Sequence, residues 1–255
     1  MLIAHITDSH VLAPGQRLAG RMDTAAAFDR LIASLKAQPV QPDLVLFSGD
    51  LAEDATSEEY AHVSAGLRHL GLPVLAVPGN HDRRAPMLAA LPGMVRAIES
   101  GHLCLAEQTR GPLVIGLDTV IEGAPEGELC EARLEWLAGR LNEARGREIL
   151  IFMHHPPITT GLKDMDSMGL LAGREALASL IADHGKVCAI LCGHMHRAIM
   201  GCCGGAPVRV APAASLQIAF DLRDGVSFDF SGEPPQYMMH RLDRADGLVS
   251  HVISV

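Results

Sequence analysis

Short apolar runs recur along this chain and alternate with amphipathic stretches, and this alternation restricts the fold more than any other feature. Such runs are typical of strands buried in a sheet that is covered on both faces. They occupy residues 1–6, 43–47, 73–77, 113–117, 148–153 and 187–192. Helical spacing predicts helices over residues 23–37, 57–70, 131–144 and 173–184, the first two opening on Asp23 and Ser57. The alternation indicates an α/β fold with largely parallel sheets and right-handed crossovers.

The pattern changes after residue 197. Short runs separated by Gly, Pro and Asp replace the helical periodicity, which predicts antiparallel β-structure. The runs are residues 197–203, 207–211, 225–230, 236–242 and 247–255. With no repeat and no linker in the sequence, residues 1–255 are predicted to form a single domain. Because short strands leave unpaired edges, we expect the β-rich part, 197–255, to contact a second copy in a homo-oligomer, most simply a dimer.

Composition and charge exclude several kinds of partner. The chain has 255 residues, of which 48% are hydrophobic, so it can bury a large core. Its net charge of -9 gives no long-range attraction for nucleic acid or anionic lipid, and we expect neither as a partner. No leader pattern and no apolar run long enough to cross a bilayer is present, which favours a cytoplasmic location. The six scattered cysteines are expected to be small buried residues rather than a disulfide framework.

Polar residues of a particular kind follow five of the predicted strands. They are Asp8 and His10, Asp50, Asn80 with His81 and Asp82, His154 with His155, and His194 with His196. Six of the thirteen histidines therefore stand at strand ends. Because the carboxyl ends of the strands define the binding crevice of an open α/β sheet, we expect these side chains to converge.

The chemistry of this set points to metal ions. None of the five loops contains a nucleophile elbow or an equivalent cysteine, so a nucleophilic triad is not the simplest explanation. Imidazole and carboxylate ligands suit first-row divalent ions, and the number of candidate ligands exceeds what one ion takes. Two metal ions that share one carboxylate explain the set most economically.

The motifs D-x-H, G-D, G-N-H-D, H and G-H-x-H stand here in order as Asp8 to His10, Gly49 to Asp50, Gly79 to Asp82, His154 and Gly193 to His196. In this the chain resembles the calcineurin-like metallophosphoesterases. Further likeness in MLIAHITDSH, PGNHD and FMHHPP points to the branch with bacterial cyclic-nucleotide phosphodiesterases and glycerophosphodiester phosphodiesterases. The resemblance implies a mixed α/β fold, a four-layer αββα sandwich of two mixed β-sheets, with a dinuclear site at its edge.

The resemblance also implies a role for each site residue. Asp8, His10 and His196 would bind one ion, Asn80, His154 and His194 the second, and Asp50 would bridge the two. His81 would lie beside the ions and meet the substrate, and with Asn80 it forms the expected catalytic set, whereas His155 would support the ligands. The ions expected are Mn²⁺ or Fe²⁺, with Zn²⁺ or Co²⁺ as alternatives.

These inferences lead to one principal function and several alternatives. The principal function is metal-dependent hydrolysis of a small phosphodiester, with 3',5'-cyclic nucleotides ahead of glycerophosphodiesters. Ser215 and Leu216 stand where some glycerophosphodiester-cleaving relatives have a histidine. The alternatives are a phosphomonoesterase, a nuclease and a metal-binding module without turnover. The presence of both Asn80 and His81 argues against the last of these.

Overall fold

The computed structural model describes residues 1–243 and 245–255. Most strands belong to two mixed sheets. In chain order they are β1 (Leu2–Ile6), β2 (Leu44–Phe47), β3 (Val74–Ala76), β4 (Leu105–Gln108), β5 (Leu113–Leu117), β6 (Gly127–Glu128), β7 (Ile149–Met153), β8 (Leu170–Ala172), β9 (Val187–Cys192), β10 (Ile199–Cys203), β11 (Ala206–Val210), β12 (Gln236–Asp243) and β13 (Gly247–Ser254). The helices are α1 (Thr24–Lys36), α2 (Ser57–Leu70), α3 (Arg84–Ala90), α4 (Glu131–Glu143), α5 (Lys163–Asp166) and α6 (Arg174–His184).

Each large sheet has parallel strands at its centre, with antiparallel strands at both edges of the second sheet and at one edge of the first. The first sheet has the order β13-β12-β1-β2-β3, and the second has the order β10-β11-β9-β7-β5-β4. β1, β2 and β3 run parallel, as do β5, β7, β9 and β11, while β12 and β13, β10, and β4 are antiparallel to their neighbours. β6 and β8 form a separate parallel pair.

Three apolar layers hold the fold together. One lies between the two sheets, where Ile3 and Leu46 of the first meet Phe152 and Leu191 of the second. A second layer packs the first sheet against α1 and α2, and a third packs the second sheet against α4 and α6. Burying apolar side chains in these layers is the main driving force for the assembly. The predicted four-layer αββα sandwich of two mixed sheets is confirmed.

Helix ends agree with the sequence in most places. The Asp23 side chain accepts a hydrogen bond from the Ala26 N–H and caps α1 as predicted. The second helix begins at Ser57 and ends at Leu70 as predicted, and the residue before it, Thr56, is its N-cap. Thr56 exchanges hydrogen bonds with Glu59 in a capping box, which satisfies two N–H groups at once.

The part of the chain after residue 197 is β-rich, with two corrections. β10 with β11 and β12 with β13 form the predicted antiparallel hairpins, but β11 joins the second sheet parallel to β9. Residues 225–230 form no strand and make a single bridge, between Phe230 and Ile218. The backbone there bonds elsewhere, for example from the Phe228 N–H to Asp164 Oδ2. The sequence analysis also missed the short elements β4, β6, β8, α3 and α5, and self-association of this part stays a prediction.

The cysteines and the helix lengths bear on two further expectations. All six cysteines are free. Cys104, Cys192 and Cys203 are buried as predicted, whereas Cys130 and Cys188 are half-buried and Cys202 is exposed on β10, the outer strand of its sheet. Among the described residues, no helix is long and apolar enough to cross a membrane.

A chain of polar side chains runs across the first sheet, on the face of β1 that also carries Ile3. His5 Nε2 pairs with Ser48 Oγ at 2.8 Å, His5 Nδ1 lies 3.3 Å from His240 Nε2, and His240 Nδ1 pairs with Ser250 Oγ at 2.8 Å. Burial lowers the pKa of His5 to about 3 despite the charge of Asp8. Burial and the neighbouring His5 lower the pKa of His240 well below its usual value. Both imidazoles are therefore neutral and hydrogen-bonded within the fold.

This pair predicts a loss of stability in acid. Unfolded histidine has a pKa of about 6.5, so below that pH the unfolded chain binds protons that folded His5 and His240 do not. The free energy that these two neutral histidines contribute to folding is present above pH 6.5 and is lost as pH falls toward their pKa values in the folded protein. Replacing both residues, His5→Gln with His240→Gln, should reduce the slope of unfolding free energy against pH by up to about 1.4 kcal/mol per pH unit for each histidine. Urea unfolding from pH 7 to 4.5 measures this, and equal slopes in both proteins would contradict it.

Candidate metal centre

The predicted site residues meet at one edge of the sandwich. Each follows a strand, and a cavity of about 350 Å³ opens over them. Strands β1, β2 and β3 of the first sheet and β7 and β9 of the second end here. The structure brings together all the residues that the sequence nominated as ligands, which are Asp8, His10, Asp50, Asn80, His154, His194 and His196.

One group of donor atoms comes from β1 and β9. Nε2 of His10 lies 3.1 Å from Nε2 of His196. Oδ1 of Asp8 is 3.4 Å from His196 Nε2 and 3.9 Å from His10 Nε2. All three side chains are buried, so these atoms face one another away from bulk water.

A second group surrounds the side-chain oxygen of Asn80. Asn80 Oδ1 lies 3.0 Å from Nε2 of His154 and 3.1 Å from Nδ1 of His194. The other ring nitrogen of His194, Nε2, is buried and has no hydrogen-bond partner among the described residues.

The Asp50 carboxylate stands between the two groups. Its Oδ2 is 3.6 Å from His10 Nε2 in the first group and 3.3 Å from His154 Nε2 in the second. Its Oδ1 accepts a hydrogen bond from the His81 backbone N–H at 2.9 Å, which fixes the orientation of the carboxylate. One carboxylate thus faces both groups.

Hydrogen bonds orient three of the imidazoles so that each Nε2 faces the other donor atoms of its group. In each, Nδ1 bonds to an oxygen: His10 to Glu53 Oε2 at 2.6 Å, His154 to the Ser48 carbonyl at 2.8 Å, and His196 to the Leu216 carbonyl at 2.6 Å. An imidazole that donates from Nδ1 offers a lone pair at Nε2, as metal ligands do. Donors about 2.1 Å from one ion are roughly 3.0 to 3.4 Å apart. Most separations in both groups fall near this range, so the donor set fits two divalent ions.

The carboxylates of the centre are ionised. Burial favours the neutral form of Asp8, but the charges of His196 and His154 outweigh burial and lower its pKa to about 2. The pKa of Asp50 lies well below its usual value because His154 and His81 likewise outweigh burial. Two buried negative charges therefore stand at the centre, paired with neighbouring histidines, and a divalent cation can take over this pairing where the histidines are neutral.

His155 lies beside the ligands with both ring nitrogens occupied. Nδ1 pairs with Thr119 Oγ1 at 2.8 Å, and Nε2 pairs with the Pro125 carbonyl at 3.0 Å. Its ring packs edge-on against His154. The predicted supporting role is consistent with these contacts, which leave no lone pair for an ion.

The sequence analysis did not single out Glu53, yet this residue connects two parts of the site. Its Oε2 accepts the 2.6 Å hydrogen bond of His10 and lies 3.2 Å from Nδ1 of His81. The Glu53 carbonyl also accepts from His81 Nδ1 at 3.1 Å. Its position three residues after Asp50, in the same loop, was the available signal.

The backbone at the site is strained. Among the residues that the structure describes, seven that are not glycine have positive φ, and five of these are site residues: Asp8, His10, Asp50, His194 and His196. The left-handed region costs roughly 1 to 2 kcal/mol for a side chain with Cβ. Strain concentrated in one place is a mark of a functional site.

The sequence model of the calcineurin-like phosphoesterase family matches residues 1–198. The chain belongs to this family. It is 33% identical over 251 residues to a probable glycerophosphodiester phosphodiesterase of Arcobacter nitrofigilis, covering 98% of this chain and 92% of the relative. It is 35% identical over 252 residues to a probable cyclic nucleotide phosphodiesterase of Rhodopseudomonas palustris, covering 98% and 90%. A dimetal phosphatase from Danio rerio shares the fold, with a TM-score of 0.67, 16% identity, and coverage of 99% and 98%.

These comparisons confirm the resemblance inferred from the motifs and the prediction of a metal-dependent phosphodiesterase. They also account for the donor arrangement, because family membership implies a dinuclear site for divalent metal ions.

Glycine is required where backbone passes close to a ligand. A Cβ on Gly79 would lie 2.2 Å from Asp50 Oδ1 and 2.4 Å from the Asp50 nitrogen, which is closer than atoms can approach. By contrast, a Cβ on Gly139 in α4 would have nothing within 4 Å.

We expect Gly79→Ala to displace the Asp50 carboxylate and weaken metal binding by about 10- to 100-fold or more. Gly139→Ala is the matched control, because it adds the same methyl group in open space. It should leave metal binding unchanged and raise helix stability by up to about 1 kcal/mol. Metal titration and thermal unfolding measure both effects, and unchanged metal affinity in Gly79→Ala would refute the role given to the close approach.

Proposed function

We propose that this chain hydrolyses small phosphodiesters at a two-ion centre, with 3',5'-cyclic nucleotides as the first candidate substrates. The observation that carries the proposal is the Asp50 carboxylate, which faces two donor groups at the base of a cavity. A site built for one ion needs no shared carboxylate.

In this proposal each donor group would hold one ion. Asp8, His10 and His196 would hold the first, Asn80, His154 and His194 would hold the second, and Asp50 would serve both. When bound, a pair of divalent ions supplies Lewis acidity that activates water and stabilises charge on the phosphoryl oxygens. Mn²⁺ or Fe²⁺ is proposed, with Zn²⁺ or Co²⁺ as alternatives that the same donors accept.

His81 is proposed to protonate the departing oxygen. Burial by itself would lower the pKa of His81, but the charges of Asp50 and Glu53 outweigh burial and raise it. Glu53 engages Nδ1, and Nε2 has no protein partner among the described residues. The ring lines the cavity, so this nitrogen can serve the leaving group of a bound diester. Asn80 is proposed to contribute its side-chain oxygen to the second donor group, beside the ring nitrogens of His154 and His194.

Cyclic nucleotides are preferred to glycerophosphodiesters for a local reason. Leu216 is buried in an apolar cluster with Leu12 and Leu18, and its carbonyl holds His196. Ser215 Oγ donates to the Asp8 carbonyl behind the ligands. Neither side chain offers a free polar group for a glycerol hydroxyl. Glycerophosphodiesters remain the second candidate, because relatives of both names match nearly the whole chain.

Asp50→Ala tests the two-ion proposal. The wild-type chain should turn over cyclic AMP and bis-p-nitrophenyl phosphate with Mn²⁺, lose activity in chelator, and contain two ions per chain by elemental analysis. Asp50→Ala should lose activity and occupancy at both positions, whereas Asp8→Ala should chiefly empty one. Asp54→Ala removes an exposed carboxylate from the same loop and should change nothing. Two tightly bound ions in Asp50→Ala would show that the carboxylate does not bridge, and chelator-insensitive turnover would remove the metal-dependent reaction.

His81→Ala tests the leaving-group role. A sugar alkoxide needs a proton to depart, whereas nitrophenolate leaves unaided. At saturating Mn²⁺ we expect kcat for cyclic AMP to fall by about 100- to 10,000-fold and kcat for bis-p-nitrophenyl phosphate to fall much less. Metal content should stay unchanged. Equal losses for both substrates at full metal occupancy would mean that His81 does not serve the leaving group.

A further inference from the structure

Two kinds of side chain line the cavity over the metal centre. One set consists of donors and His81. The other set is apolar, and most of it comes from α5, the residues after it, and the segment that follows β11. We call five of these side chains the apolar wall: Met165, Met168, Ile218, Phe228 and Phe230.

The two phenylalanines of the wall stand beside the donors. The Phe230 ring lies 6.4 Å from the His196 ring, centroid to centroid. Phe228 packs edge-on against Phe230, with centroids 5.8 Å apart and an interplanar angle of 76°. Phe228 is nevertheless 41% exposed, so part of its ring is open to a ligand.

Hydrogen bonds hold the wall in position. Asp164 Oδ2 accepts from the Phe228 N–H at 3.0 Å, and the Asp229 carbonyl accepts from the Ala219 N–H at 2.7 Å. The Gln217 carbonyl accepts from the Ser231 N–H at 2.8 Å. A surface fixed in this way before binding loses little entropy when a ligand arrives.

The chemistry of the wall selects the kind of group that it can contact. Phenylalanine and methionine side chains offer flat and polarisable surface without a charge or an N–H donor. A glycerol chain gains little from such a surface, whereas a nucleobase gains stacking energy. A quaternary ammonium ion is held best by tryptophan, and no tryptophan lines this cavity among the described residues.

We propose that Phe228, with Phe230 and Met168, forms the surface that receives the nucleobase of the substrate and so determines specificity for nucleotides over other diesters. The proposal deepens the proposed function and rests on it for the reaction. Binding alone tests the wall, because adenosine 5'-monophosphate and ribose 5-phosphate share the phosphate and the sugar and differ only in the base.

The experiment is calorimetric titration of the Mn²⁺-loaded chain with each of these two ligands. The wild-type chain should bind adenosine 5'-monophosphate about 5- to 100-fold more tightly than ribose 5-phosphate, the usual worth of one stacked base. In Phe228→Ala, and to a smaller extent in Met168→Ala, this ratio should fall toward one, with the affinity for ribose 5-phosphate unchanged. Phe220→Ala is the matched control, since Phe220 is 69% exposed on the same segment and does not line the cavity.

Three results would overturn the proposal. The first is a wild-type affinity ratio near one. The second is an equal loss of affinity for both ligands in Phe228→Ala. The third is that Phe228→Ala loses affinity for phosphocholine but not for adenosine 5'-monophosphate. The last result would assign the wall to a quaternary ammonium group. If the chain turns over cyclic AMP but its affinity ratio is one, only the role proposed for the apolar wall is contradicted. A ratio that depends on Phe228 without any diester turnover would instead contradict the proposed reaction.

Discussion

The apolar layer between the two sheets fixes the spacing of the metal centre, because the donors come from both sheets. Asp8 and Asp50 extend from strands of the first sheet, whereas His154 and His196 extend from strands of the second. Several hydrogen bonds cross the junction directly, among them those from His154 Nδ1 to the Ser48 carbonyl and from the His194 N–H to Asp8. An ion bound between the groups would tie one sheet to the other, so metal binding and stability are linked.

The centre is built at a cost to the local backbone. The backbone is left-handed at residues such as Asp8 and His194, and it passes close to Asp50 at Gly79. These conformations turn the donor atoms of each group toward one another, which ordinary strand ends would not do. Burial of the two carboxylates adds an electrostatic cost, which the neighbouring histidines offset. The three apolar layers offset these terms, which is the usual relation between a strained site and the scaffold that carries it.

The sequence predicted the donors better than their surroundings. Asp50 and His154 could be named because a ligand residue at the end of an apolar strand is a local pattern, and the family motifs add its role. Glu53 was missed because its importance depends on His10 and His81 lying on either side of it, which is a tertiary fact. Residues 225–230 were predicted as a strand because apolar alternation is the same in a strand and in an aromatic segment at a cavity rim. Only the competing hydrogen bond to Asp164 distinguishes the two.

The donors and the two phenylalanines of the apolar wall occupy different parts of the chain. Every donor lies between Asp8 and His196, within the stretch matched by the family, whereas Phe228 and Phe230 lie beyond it. Substitutions in the later segment can therefore reshape the cavity without disturbing an ion ligand. During evolution, the substrate that the cavity accepts can change while the residues that carry out the reaction stay the same.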